Sequence, residues 1–489
     1  MRMAKKLSIV VALAVAGLVM TGLAAERVAA DERAGELFVG RATTSITPDR
    51  PVPLSGQMRT RISQSVETPL TATALTLESR QGEQSVDQAT WVSCDLVAIR
   101  EGIIEDVRAR LQDRLPGFDL AKLVLSATHT HTAPEVIEGN YDIPAAGVMR
   151  PAEYRAFLVE QLAGVIERAW KSRAPGKAGW GLGHAVVAQN RLAVYADGHA
   201  QMYGPTDRAD FARFEGYEDH GVEVLCFWDA SEQLIATAIN LACPAQEVEG
   251  RSTVHADFWH VAREMLRERH GQDLAVLAWT GAAGDQSPHL MIRKQAEERM
   301  RQLRKVDRLQ EIAQRVVAAW NEAYEGAQQE KHADAVLRHH VETLQLPVRL
   351  VTQEEALAAK QKAEALADDA NARRMMLWHQ KVVTRFEQQK PDDTYAVELH
   401  VIRLGDVVIA TNPFELYTDY GMRMKAGSRA LQTFVIQLAG RGTYLPAERS
   451  LAGGAYGSIV QSNAVGPAGG RLLTERTIAA INSLWPTGP

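Results

Sequence analysis

Two histidines two residues apart, His129 and His131 in Ser-Ala-Thr-His-Thr-His-Thr-Ala-Pro, are the strongest chemical signal in the chain. On an extended segment, residues i and i+2 point the same way, so both imidazoles would face one cavity. A neutral imidazole there binds zinc or shuttles a proton. Two histidines in a polar loop are otherwise ordinary surface residues, so the pair takes its meaning from its company. His129 follows Lys-Leu-Val-Leu-Ser-Ala, Cys243-Pro244 follows Ile-Asn-Leu-Ala, and Gly284-Asp285-Gln286-Ser287-Pro288 follows Leu-Ala-Val-Leu-Ala-Trp. Asn412-Pro413-Phe414-Glu415 follows Val-Val-Ile-Ala-Thr, and Gly442-Thr443-Tyr444 follows Phe-Val-Ile-Gln-Leu-Ala. These reactive clusters all lie just beyond the carboxyl ends of predicted strands, the edge where open α/β sheets collect ligands and catalytic groups.

Each signal is weaker alone. Arg191, in Gln-Asn-Arg, suits bidentate recognition of a carbonyl, carboxylate or phosphate, but equally a surface pair. Glu415 reads as a first-turn charge favoured by a helix dipole as well as a ligand. Ser287 lacks the Gly-x-Ser-x-Gly context of a nucleophile elbow, so it orients or binds rather than attacks. Three cysteines make no complete disulfide framework. Cys94 and Cys226 sit in apolar runs as small buried hydrophobes, whereas Cys243 stands among the strand-end clusters.

The elements that must hold these groups are strands alternating with helices. Runs rich in Val, Ile and Leu at 73–78, 88–97, 122–127, 234–242, 274–279, 396–404, 406–411 and 433–438 read as buried strands. Helical stretches at 102–115, 151–173 and 257–270 cover them, giving an α/β (α+β) class with a large mixed sheet flanked by helices. A helical insertion at about 291–392 interrupts the rhythm. Its first helix spans 292–324 with apolar residues every three or four positions, and its second starts at a capping box, Thr352-Gln353-Glu354-Glu355, and runs to about 389. A strand-like stretch at 336–350 lies between them.

The first thirty residues are read as a secretory signal: Arg2, Lys5 and Lys6, then an uncharged apolar run from Leu7 to Ala25, then Val28-Ala29-Ala30. A secreted or periplasmic location follows, or an uncleaved anchor, with membrane contact only through that segment or the substrate. Residues 31–489 form a single catalytic domain with no separate C-terminal one. The net charge is −6 and loss of the basic leader makes the chain more acidic, which argues against nucleic acid and leaves a small molecule or lipid as partner. Oligomeric state is open.

Taken in order, Thr-His-Thr-His, Gln-Asn-Arg, Gly-Asp-Gln-Ser-Pro, Pro-Phe-Glu, and Tyr444 followed twelve residues later by Tyr456 resemble the neutral/alkaline ceramidase family. The likeness runs from Val39-Gly40-Arg41-Ala42, through Asp95, to about Gly457. It implies a Zn2+ amidase that cleaves ceramide into a sphingoid base and a fatty acid. Carried over by position, His129, Glu415 and Tyr444 match zinc ligands, and His131, Arg191, Tyr456 and Ser287 match catalytic groups around the scissile amide. Where the family places His-Pro, this chain has Cys243-Pro244. Either Cys243 binds as thiolate, or His255 in Thr-Val-His-Ala-Asp replaces it with Asp257 or His260 nearby, or the metal site is altered. Two further readings stay open: a zinc hydrolase of a carbohydrate or ester with paired acids among Asp285, Glu415, Asp257 and Glu247, and a catalytically silent binding protein.

Overall fold

The computed structural model describes residues 34–486, so the expected signal segment falls outside the described residues. Eight strands form the larger sheet: Glu36–Ser45 (β1), Thr71–Gln81 (β2), Gln84–Cys94 (β3), Leu123–Ala127 (β4), Ala174–His184 (β5), Gly221–Asp229 (β6), Leu234–Leu241 (β7) and Ala275–Thr280 (β8). Their spatial order is β8-β7-β6-β5-β1-β2-β3-β4. The β3–β4 and β7–β8 pairs are parallel and the others antiparallel, a mixed sheet.

A second sheet of four strands, Leu337–Pro347 (β9), Thr394–Leu404 (β10), Val407–Thr411 (β11) and Gln432–Ile436 (β12), lies against the first. One apolar core is shared between the two, with Leu75, Trp91, Phe227 and Trp279 of the larger sheet meeting Ile402, Ile409 and Phe434 of the smaller. Helices cover only the outer faces. Ile103–Leu111 (α1) and Pro151–Lys171 (α2) pack on β2–β4. Phe258–His270 (α3), Lys294–Arg304 (α4) and Arg308–Ala327 (α5) follow, with α3 and α5 packing on β6–β8. Thr418–Gly427 and Pro467–Ser483 cover the outer face of the smaller sheet, so the expected large mixed sheet flanked by helices is present, in four layers with both sheets at the centre.

Both long predicted helices are broken, for local reasons. Lys305 takes a left-handed φ of 54°, and Asp307 restarts the chain as N-cap of α5 through a reciprocal box with Gln310. The Thr352–Glu355 box does open a helix, Gln353–Ala365 (α6). It ends before Asp369, whose side chain accepts from the Asn371 N–H and so competes with the helical ladder. The chain resumes as Arg373–Gln388 (α7), packed against α6. Among the described residues no helix is long and apolar enough to cross a membrane.

Candidate active site

The ends of three strands are tied together at one edge. Thr280 at the end of β8 donates its hydroxyl to the Ala127 carbonyl ending β4 (3.2 Å), and the Gln437 N–H past β12 donates to the Thr280 carbonyl (2.9 Å). Thr128 to Thr132 emerge here fully buried. His129 has φ 68°, a left-handed conformation uncommon for a side-chain-bearing residue and concentrated at functional sites. Its N–H donates to Leu96 O (2.9 Å) and its Nδ1 to Val97 O (2.7 Å). The loop that supplies those carbonyls is anchored by Asp95, which accepts from the Thr71 N–H (2.9 Å) and Thr128 hydroxyl (3.3 Å) and pairs with buried Arg263 (2.7 and 3.0 Å).

Hydrogen-bond bookkeeping fixes the imidazole tautomers. A carbonyl only accepts, so His129 carries its proton on Nδ1 and presents a bare Nε2. Arg191 Nη1 donates to Gln246 Oε1 (3.0 Å), which turns the Gln246 amide nitrogen toward His131 Nε2 (2.9 Å) and makes that nitrogen an acceptor. His131 Nδ1 then carries the proton and lies 3.1 Å from Glu249 Oε2, at ion-pair distance though not aligned as a hydrogen bond. The two Nε2 atoms lie 3.1 Å apart, that of His131 engaged by the Gln246 amide and that of His129 left open, and Glu415 Oε2 lies 3.5 Å from the latter. The open His129 lone pair and a carboxylate oxygen that close repel unless a cation sits with them. Burial, then the neighbouring His131, hold His129 well below its ordinary pKa, so a proton is a poor candidate for that cation.

Arg191, buried at 2% exposure, is the hub of the opposite wall. Its guanidinium donates to Tyr203 OH (3.1 Å), Gly284 O (2.8 Å) and Tyr444 OH (3.1 Å) as well as Gln246, and its Nε is buried without a hydrogen-bond partner. Glu415 and Tyr444 are opposite residues of a short parallel bridge. Tyr456 stands edge-on to Tyr444 (5.8 Å) and stacks on Trp378 of α7 (5.4 Å). Burial, then Glu415, push its phenol up to about 12. Ser287 accepts from Tyr203 OH (3.2 Å) and the His289 N–H (3.1 Å), an anchor behind Arg191.

The structure does not bring Cys243 or His255 to this point. Cys243 is fully buried in the apolar cluster under α3 and α5, its sulfur 3.7 Å from the Pro244 carbonyl. Burial, then Asp257, push its thiol well above the ordinary value. His255 Nδ1 accepts the Asp257 N–H (2.8 Å) and its Nε2 faces Glu67 (3.8 Å). What His255 contributes is its carbonyl, which accepts both the Thr130 and Thr132 hydroxyls at 2.7 Å and so clamps the histidine segment. Two of the four acids proposed for a carbohydrate mechanism, Asp257 and Asp285, are committed to other hydrogen bonds. Asp257 accepts from the Val248 and Phe258 N–H groups, and Asp285 from Thr418 and Asn190.

Sequence reasoning passed over Gln246, Glu249, Tyr203 and His289. Glu249 bridges His131 and His289 (Nε2, 3.2 Å). Burial works to raise its pKa, but the two imidazoles outweigh burial and hold the carboxyl below its ordinary range. Gln246 lies three residues past Cys243 on the same strand-end turn, and that turn is the signal that would have found it.

Among the described residues no group of three His, Cys, Asp or Glu side chains is arranged to hold a metal ion. A zinc ion there would take His129 Nε2, Glu415 and, as third donor, the Tyr444 phenol opposite it in the bridge; His129 is oriented through Nδ1 by a carbonyl as metal-binding histidines are.

The two sheets, their outer helices and the strand-end cluster define a fold found in ceramidases. The structure resembles that of neutral ceramidase from Pseudomonas aeruginosa, with a TM-score of 0.68 at 18% identity over 93% of this chain and 75% of that one. A ceramidase complexed with C2 is similar at a TM-score of 0.67 and 17% identity, over 93% and 76% of the two chains. At the level of sequence, no family model and no curated protein matches the chain.

Proposed function

We propose that this protein is a zinc-dependent hydrolase of an N-acyl amide bond, a ceramidase-like exported enzyme that is secreted or periplasmic. The observation that carries the reading is the unprotonated His129 Nε2, 3.5 Å from Glu415 Oε2 and 3.1 Å from His131 Nε2, in a buried site that also holds Arg191. His129, Glu415 and Tyr444 would hold the metal, which supplies polarisation of an acyl carbonyl and acidification of a water molecule. His131 takes the proton at Nε2 and returns it to the departing amine, with the Glu249 carboxylate beside Nδ1 stabilising the imidazolium. Tyr456 keeps its proton at neutral pH and, with Arg191, donates to the oxygen that gains negative charge. Ser287 keeps Tyr203 and thereby Arg191 in place.

The test is metal analysis of purified protein together with amine release from a panel of N-acyl amides that includes ceramide. One zinc per chain, absent from His129→Ala, with turnover lost in that variant, is the expected result. Metal-free protein after reconstitution, inert toward every amide in the panel, would overturn the proposal.

Gly56 supplies a second test. Its φ is +96°, and a Cβ there would sit 2.4 Å from Cγ of His131. Gly56→Ala is expected to displace the imidazole and lower kcat roughly 10²-fold, with a stability cost of about 1–3 kcal/mol from the strained backbone. An unchanged kcat would show that His131 needs no fixed position.

A further inference from the structure

A cleft of ≈ 550 Å³ opens beside the site, with Tyr456 on its wall. Its lining carries Arg100, Arg374, Lys381, Arg385 and Arg441 against one carboxylate, Glu101, on a chain whose net charge is −6. Three of these cations come from α7: Arg374, Lys381 and Arg385 recur, with Trp378, at the three- and four-residue spacing that places side chains on one helix face.

The charges are unevenly compensated. Arg441 pairs with Glu101 (2.6 Å) where both are exposed, and Arg374 pairs with Glu135 (3.3 Å). Arg385 spends its guanidinium on the main-chain carbonyls of Val460, Asn463 and Arg349, which leave its charge intact. Arg100 and Lys381 have no carboxylate within ion-pair distance among the described residues. A recess lined by one sign of charge focuses potential and concentrates ligands of the other sign.

We propose that this cleft is a subsite for an oxyanion carried by the substrate, so that the preferred N-acyl compound is anionic rather than a neutral ceramide. The inference rests on the amidase reading. Arg100 and Lys381 bind the anionic group, Arg374 and Arg385 sustain the field around it, and Trp378 and Tyr456 form the aromatic wall that leads from it to the reacting amide. Carboxylate, phosphate and sulfate share the chemistry that the cleft recognises.

The test has a catalytic arm and a binding arm. N-acylglycine, N-acylethanolamine, and the O-phosphate and O-sulfate of the latter, all of one acyl length, are compared by kcat/KM. At least one anionic compound is expected to exceed the neutral one by roughly 10–100-fold, the range that charge-assisted hydrogen bonds supply. The ranking identifies the oxyanion. In the second arm, ether analogues with no cleavable amide are titrated calorimetrically onto the zinc-loaded protein, the charged one binding at least tenfold tighter than the neutral one. That margin shrinks with added salt. It collapses in Arg100→Gln and in Lys381→Gln, the latter at an exposed helical position where folding is not at stake. Equal binding of the charged and neutral ethers overturns the subsite whatever the catalytic outcome. A retained binding margin with no amide cleaved leaves the subsite standing and overturns the amidase reading.

Discussion

Arg263→Ala is expected to destabilise the fold by about 3–5 kcal/mol, the cost of leaving a buried charge without its counter-ion. Asp95 is wholly buried, and Arg263, at 2% exposure, meets both of its oxygens. Thr71 and Thr128 still donate to the carboxylate in the variant, but neutral donors do not cancel its charge. The damage reaches the site because Asp95 opens the loop whose Leu96 and Val97 carbonyls hold His129 in its left-handed conformation. The urea midpoint should fall with little change in m. Removing both charges, in Asp95→Asn with Arg263→Met, should recover part of the loss, because an uncharged pair of similar volume leaves no uncompensated ion. A midpoint for Arg263→Ala equivalent to less than about 1 kcal/mol would show that the pair is not structural.

How much of this was legible in the sequence depends on what each feature required. Fully buried strands announce themselves as apolar runs, so β4, Leu-Val-Leu-Ser-Ala with all five side chains buried, was visible, and so were the groups at its end. The central strand β5 was not, because its sequence is Ala-Pro-Gly-Lys-Ala-Gly-Trp-Gly-Leu-Gly-His. Its glycines are there for packing: a Cβ on Gly181 or Gly183 would fall about 2 Å from the Ala323 or Ala319 carbonyl of α5, so only bare backbone admits that helix. The helix breaks at Lys305 and Asp369 were missed because apolar periodicity is indifferent to a one-turn interruption that caps resolve locally. The site divided the same way. His129, His131, Arg191, Glu415, Tyr444 and Tyr456 were proposed through motif order, and in the fold they lie near one another. Cys243 was proposed as a ligand because of its place in that order. Its side chain instead points into an apolar cluster, and Gln246 occupies the polar side of the same turn. Which way a turn directs each residue is a tertiary property that spacing alone does not encode.

Arg191→Lys should lower kcat by roughly 10²–10³-fold, the loss that follows removal of a preorganised donor to developing negative charge. Lysine keeps the positive charge, which separates the electrostatic field from the geometry of the fork. An ammonium group has three rotatable donors and no plane. It cannot meet Tyr203, Gln246, Gly284 and Tyr444 from one fixed centre as the guanidinium does. The Gln246 amide then loses the bond that sets its orientation, and with it the reason for His131 to hold its proton on Nδ1. The variant should therefore lose rate through His131 as well, because its tautomer is no longer imposed. Gln246→Leu should remove the same constraint while retaining more of the rate, since Arg191 keeps its other three partners. KM should move less than kcat in both variants, as expected when the interaction strengthens in the transition state. A lysine variant with unchanged kcat and a raised KM would assign Arg191 to substrate binding and remove it from catalysis.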